Sequence, residues 1–149
     1  MAGYEVLDAV QRIISLLTTD GQMKALFPNN TVNAYHQQGP REPPDFYMVL
    51  TMPSEKDVSG LGGFKIMALP TFYLETIGKE ITYGVLRPIA ERADFLLTQP
   101  GTSALVNNTW VGKWIRTNTI MRPPDTIANF RWWSIGGVYE NVNNTAVFS

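Results

Sequence analysis

Two strand-like runs joined by a polar, glycine-containing stretch constrain this chain more than any other feature. The first is Phe46-Tyr47-Met48-Val49-Leu50-Thr51, and the second runs from Phe64 to Thr76. Both are filled with aromatic and β-branched residues, and Pro53 to Gly63 punctuates them, so the pattern predicts a long antiparallel hairpin. In the second run Phe64, Ile66, Ala68, Phe72 and Leu74 share one parity, against Lys65, Thr71, Tyr73 and Glu75 on the other. A period of two places one face on a core and leaves the other mixed. The joining stretch carries Glu55, Lys56 and Asp57 and three glycines before Phe64, which predicts a polar loop reaching away from the body.

The hairpin is flanked by helical patterns. Val6, Val10, Ile13, Ile14 and Leu17 recur at helical spacing over Glu5 to Thr18, and Asp20-Gly21 stops that helix. A short helical turn is expected over Gln22 to Phe27 and a short strand over Thr31 to His36, followed by a stiff proline connector from Gly39 to Pro44. Downstream, Val85, Leu86, Ile89, Ala93, Leu96 and Leu97 outline a second amphipathic helix within Ile81 to Leu97. Pro88 leaves two alternatives: a start near Arg87, or a start near Thr82 with a kink. Thr109 to Met121 and Asn129 to Val142 then read as strands of a second hairpin, turned by Arg122-Pro123-Pro124-Asp125. Gly136-Gly137 would permit a bulge or bend, and Asn143 to Ser149 reads as a loose end. The order implies a single α+β domain over residues 1–149. Two amphipathic helices pack on one face of a mainly antiparallel sheet of about four to five strands.

Three strands carry adjacent aromatics: Phe46-Tyr47, Phe72-Tyr73 and Trp132-Trp133. Neighbours in a strand point to opposite faces, so each pair sends one ring to the helix side and one to the other. Tyr47, Tyr73, Trp132 and Trp133 are therefore candidate contacts for another subunit, the alternative being rings that simply lie half exposed.

Chemistry is sparse. The chain has no cysteine and one histidine, which excludes disulfides and thiolate catalysis and leaves no His/Cys cluster for a metal. His36 is the one candidate for a nucleophilic triad, and no Gly-x-Ser-x-Gly elbow accompanies it, so a structural role is expected. Glu91 and Asp94 form a helical i, i+3 carboxylate pair, which a solvated face with Arg87 and Arg92 as partners explains. Gly60-Leu61-Gly62-Gly63 lies between strands and lacks the lysine of a phosphate loop. A net charge of −1 supplies no global drive toward nucleic acid or anionic lipid. Lys113, Arg116, Arg122 and Arg131, interleaved with Trp110, Trp114, Trp132 and Trp133, nonetheless keep single-strand stacking open as a minority reading. Asn-Asn-Thr recurs at Asn29, Asn107 and Asn143, where turn chemistry is expected. Met1 to Asp8 lacks a signal-peptide pattern and no apolar run reaches membrane-spanning length, so a cytoplasmic origin is expected and no enzyme cofactor is called for.

The layout resembles the tail-terminator, or tail-completion, proteins of long-tailed bacteriophages. The matching features are a first helix ending in Leu16-Leu17-Thr18-Thr19-Asp20, a helical turn with Lys24-Ala25-Leu26-Phe27, and Pro40 to Pro44 leading into Asp45-Phe46-Tyr47-Met48-Val49-Leu50. The long hairpin, the helix Val85 to Leu97 and a closing hairpin with Arg131-Trp132-Trp133 complete the order. The resemblance implies a non-enzymatic virion protein, assembled in the host cytoplasm, that forms a ring, usually of six subunits, at the head-proximal end of the tail tube. It would stop tube polymerisation, with the tail-tube protein below, a head-completion or connector protein above, and nucleic acid met only in passage through the lumen. Glu55, Lys56, Asp57 and Arg131 join the aromatics as candidate contacts, an ordinary solvated loop being the alternative for the first three. Other neck components, such as a connector or head-closure protein, a tail-tube subunit, or a small enzyme with a scattered site, remain open beside it.

Overall fold

A computed structural model describes residues 5–37, 44–59, 65–81, 83–99, 104–106 and 109–146. Helix α1 spans Glu5–Thr19 and α2 spans Gly21–Ala25; a 3-10 turn follows at Pro28–Asn30. Strand β1 is Ala34–His36, β2 Phe46–Ser59 and β3 Lys65–Lys79. Helix α3 covers Tyr83–Thr98, and β4 (Ala104–Val106), β5 (Thr109–Ile127) and β6 (Phe130–Ala146) complete the chain. The strands form one six-stranded sheet in the order β1-β2-β3-β6-β5-β4, antiparallel except where β1 runs parallel to β2. The α+β reading holds. The sheet exceeds the expected strand count because β4, three residues long, adds an edge outside the two hairpins.

The apolar stripe of α1 buries Ala9, Val10, Ile13 and Leu17, and α3 buries Leu86, Ile89, Ala93, Leu96 and Leu97. Both stripes meet Met48, Leu50, Phe72, Leu74, Trp114 and Tyr139, which share one face of the sheet. Asp20 holds the corner between the helices. Its Oδ2 accepts from the Met23 amide (2.8 Å), capping α2, and its two oxygens accept from Arg92 of α3 at 2.8 and 2.9 Å. Helix α3 begins at Tyr83, so of the two alternatives the earlier start is the observed one, with Pro88 inside the helix. There Pro88 removes the amide that would bond the Gly84 carbonyl.

Four expectations are corrected. Most of the stretch expected as a loop is strand: Ser54, Glu55, Lys56, Asp57, Val58 and Ser59 pair with Thr71, Pro70, Leu69, Ala68, Met67 and Lys65. A register shift between Thr51 and Ser54 absorbs Pro53, so the proline interrupts pairing without ending it. Arg122-Pro123-Pro124-Asp125 likewise does not turn the chain but lies within β5 as the last of four register irregularities along its pairing with β6. The turn falls at Ala128-Asn129, whose φ of 52° and 69° form the left-handed two-residue link that matches sheet twist. Gly136 and Gly137 are neither bulge nor bend; they pair in continuous register with Glu75 and Leu74. The expected loose end is strand through Ala146, with Asn143 paired to Ala68 and Val111, so its Asn-Asn-Thr is no turn. The connector residues 39–43, the glycines 60–63 and Asn107 lie outside the described residues.

Candidate assembly surface

The register assigns each aromatic pair. Phe46, Phe72 and Trp133 fall on the helix side with Met48, Leu74 and Tyr139, and Tyr47, Tyr73 and Trp132 fall on the face that bears no helix. On that open face Tyr47 stands edge-on to Tyr35 (centroids 6.0 Å apart) and to Trp132 (6.2 Å), forming an aromatic row across β1, β2 and β6. Beside the row, Arg122 Nε donates to Glu75 Oε1, and Ser134 Oγ donates to the same oxygen at 3.4 Å. Burial, then the Glu75 carboxylate, then Tyr35 push the Tyr47 phenol above its ordinary value. The hydrogen bond to Glu75 raises Arg122 further into its charged range. Tyr35 and Glu75 were not among the candidate contacts read from sequence, and Arg122 was named only in the basic cluster considered for nucleic-acid stacking. Only cross-strand register brings them together.

The remaining predicted contacts separate. Trp133 sits on the other side of the sheet from its neighbour. Arg131 lies exposed near the β5–β6 turn, where its amide donates to Glu80 Oε1 (2.5 Å) and its carbonyl accepts from the Glu80 amide (2.6 Å). Glu55, Lys56 and Asp57 lie on β2, far along the sheet from that turn; their side chains are outside the described residues.

Among the described residues, the basic side chains of the predicted cluster do not assemble into a stacking platform; Lys113 and Trp110 have side chains outside the described residues. Arg116 projects on the helix side toward Asp94 (3.5 Å), Arg122 on the open face toward Glu75, and Trp114 is enclosed in the core. Asp94 is thus no member of a solvated pair with Arg87 or Arg92. It accepts from the Tyr139 hydroxyl (2.9 Å) and faces Arg116, whereas Glu91 does take the expected Arg87 partner at 2.6 Å. Burial first and the Asp94 hydrogen bond second push the Tyr139 phenol far up. His36 ends β1 with its Nε2 enclosed and without a hydrogen-bond partner among the described residues. No group of three or more potential ligands is placed to hold a metal among the described residues, and no helix described is long and apolar enough to cross a membrane.

One open part of the surface, among the described residues, is the β5 side of the sheet. Among the described residues β4 is the one strand outside β5, and it pairs only with Thr109, Trp110 and Val111. Beyond it, no described strand pairs with the outer edge of β5, whose side chains from Ile115 to Ile127 are exposed apart from a half-buried Ile120. Ile115, Met121 and Ile127 are each more than half exposed. Behind this edge a groove of about 570 Å3 runs between α3 and the sheet. Tyr83, whose hydroxyl donates to the Arg122 carbonyl, closes one end, and the Asp94–Tyr139–Arg116 cluster closes the other. Gly84 and Ala90 above and Met121, Ile135 and Gly136 below keep it open. A strand edge without a described partner is a template for adding a strand, and the groove beside it is mixed, with Arg87, Glu91, Asp94 and Arg116 among its lining.

No family model matches this sequence, and no curated protein matches it. Among solved structures the fold is similar to a chain described as "Virion of native gene transfer agent (GTA) particle", with a TM-score of 0.66 at 16% identity. The alignment covers 95% of this chain and 100% of that one, so the likeness is one of the entire fold.

Proposed function

We propose that this protein is a structural subunit of a phage-type virion, and within that class a tail terminator that assembles into a ring. The observation that carries the reading is the whole-length likeness to a chain of a gene transfer agent virion, spanning sheet, hairpins and helices together. Two surface features support the finer reading. The open β5 edge with its exposed Ile115, Met121 and Ile127 suits addition of a neighbouring subunit, and the aromatic row of Tyr35, Tyr47 and Trp132 suits a second contact. In this role the protein acts by shape, without catalysis. It adds to the head-proximal end of a tail tube, ends polymerisation there, and presents a surface to a head-completion or connector protein.

The test is native mass across a range of salt and concentration, with and without polymerising tail tubes. With a subunit of 16.7 kDa, a six-membered ring would weigh about 100 kDa, and closed symmetry makes the count discrete. A discrete ring, or a monomer that becomes one on tubes and arrests their growth, supports the reading. Copolymerisation along the tube would identify a tube subunit instead. A monomer that never joins a tube would refute the proposal.

A further inference from the structure

The two outermost long strands are suited to pair with each other between copies. Strands β2, β3, β6 and β5 alternate in direction, so β2 and β5 run antiparallel on opposite sides of the sheet. Copies related by rotation about a ring axis therefore bring β5 of one against β2 of the next in the antiparallel sense, the more stable pairing. Each strand is covered on its outer side, among the described residues, only by a three-residue strand: β1 over Met48–Leu50, and β4 over Thr109–Val111. The open stretches are Ser54–Ser59 of β2, after its register shift, and Gly112–Arg122 of β5, before Pro123 and Pro124 remove two amides.

These stretches sit at different heights. Through the ladders, the middle of the open β5 stretch lies level with Tyr73 of β3, while the middle of the open β2 stretch lies level with Ala68. The offset is about five residues, or about 16 Å along a strand, across four strands that occupy about 19 Å. Identical copies joined edge to edge take up this stagger by tilting their strands about 40° from the ring axis, inside the roughly 35–45° range of closed barrels. The tilt follows from one subunit and does not depend on how many copies close the ring. The offset also keeps β1 and β4 clear of each other.

On these grounds we infer that the occupant of the β5 edge is the outer edge of β2, residues Ser54–Ser59, from a second copy of this chain, and that the joined sheets form one closed barrel. This rests on the ring reading above, and it names the strands that make the contact.

The chain has no cysteine, so engineered disulfides report this contact alone. Ile115→Cys, Asn118→Cys or Ile120→Cys, which by register share the open face with Ser54, Lys56 and Val58, is combined with Ser54→Cys, Lys56→Cys or Val58→Cys, and the native ring is oxidised and run on non-reducing denaturing gels. At least one combination is expected to give a ladder that ends at the mass of the native ring, with single-cysteine variants remaining monomeric. A dimer from a β5 cysteine alone would mean two-fold β5–β5 pairing and overturn the proposal. So would an intact ring that no combination links, which would leave the ring reading standing, or a ladder continuing into open fibres. Hydrogen exchange on the unaltered chain supplies a measurement free of folding defects. Amides in residues 112–122 and 54–59 should gain protection together on ring formation; gain in one stretch only, or in neither, overturns the pairing. Failure to form a ring under any condition refutes both readings together.

Discussion

Replacing Gly136 with alanine tests the central packing of the sheet most directly. Gly136 lies on β6 between Glu75 of β3 and Ile120 of β5, with no bulge to give it room against β3. A Cβ placed there would overlap the Leu74 carbonyl oxygen and come within 2.8 Å of Glu75 Cα and 2.9 Å of the Leu74 carbonyl carbon. Every one of these atoms is backbone, so no rotamer change relieves the clash. Strands β3 and β6 must separate locally. Overpacking of a well-filled site costs about 1–3 kcal/mol, and stretching one or two ladder hydrogen bonds adds about 1 kcal/mol each. The expected loss is about 3–4 kcal/mol, a large share of the roughly 5–15 kcal/mol that stabilises a domain. At roughly 2–4 °C per kcal/mol the melting temperature should fall by about 10 °C. The assay is urea unfolding of dilute protein followed by tryptophan fluorescence, with Gly21→Ala as the matched control. A Cβ at Gly21 meets nothing within 4 Å at the start of α2, so that variant should gain a few tenths to about 1 kcal/mol. A Gly136→Ala midpoint shift worth less than about 1 kcal/mol, or equal effects at both glycines, would refute the account of how β3 meets β6.

Three further outcomes follow from the polar contacts and the aromatic row. The Arg92 hydrogen bond lowers the Asp20 carboxyl, so its stabilisation is present above the unfolded value near 3.8 and is lost as pH falls through the lower folded value. Asp20→Asn, which keeps a capping oxygen, should flatten the acid limb of the pH–stability curve, while Asp20→Ala should lose about 1 kcal/mol more for the cap; an unchanged acid limb in Asp20→Asn would contradict the ion pair. Tyr139 is raised in the folded state, so its contribution is complete below about pH 10 and declines as pH rises beyond that. Tyr139→Phe should cost about 1–2 kcal/mol at neutral pH and soften the alkaline decline, checked by urea midpoints from pH 7 to 11. Trp132→Ala should lose the edge-on contact with Tyr47, about 0.5–1.5 kcal/mol beyond its buried area, and a double-mutant cycle with Tyr47→Leu should recover that coupling. A coupling of zero would mean that the row is mere proximity.

What sequence alone determined here was periodicity and its consequences. The 3.6-residue stripe of α1 and the alternation in β3 state which side of each element is apolar, because burial is decided residue by residue. Those patterns located α1, α3 and both hairpins, and the single odd histidine and absent cysteines left little chemistry to find. Turns were less legible. Pro53, Pro123 and Pro124 read as breaks, yet paired neighbours on β3 and β6 carry the strands through them as register irregularities, while the real turn uses Ala128-Asn129, a pair without the usual glycine. Contacts across the fold were not legible at all. Asp94 has arginines nearby on its own helix, but its partners come from Tyr139 and Arg116 on the sheet, and Arg92 turns instead to Asp20, 72 residues away in sequence. Likewise Tyr47 meets Tyr35 and Trp132 only because strand order interposes β3 between β2 and β6. Strand order, register and which edges remain unpaired depend on long-range pairing energies that no local window contains, so the open β5 edge belongs to the tertiary structure alone.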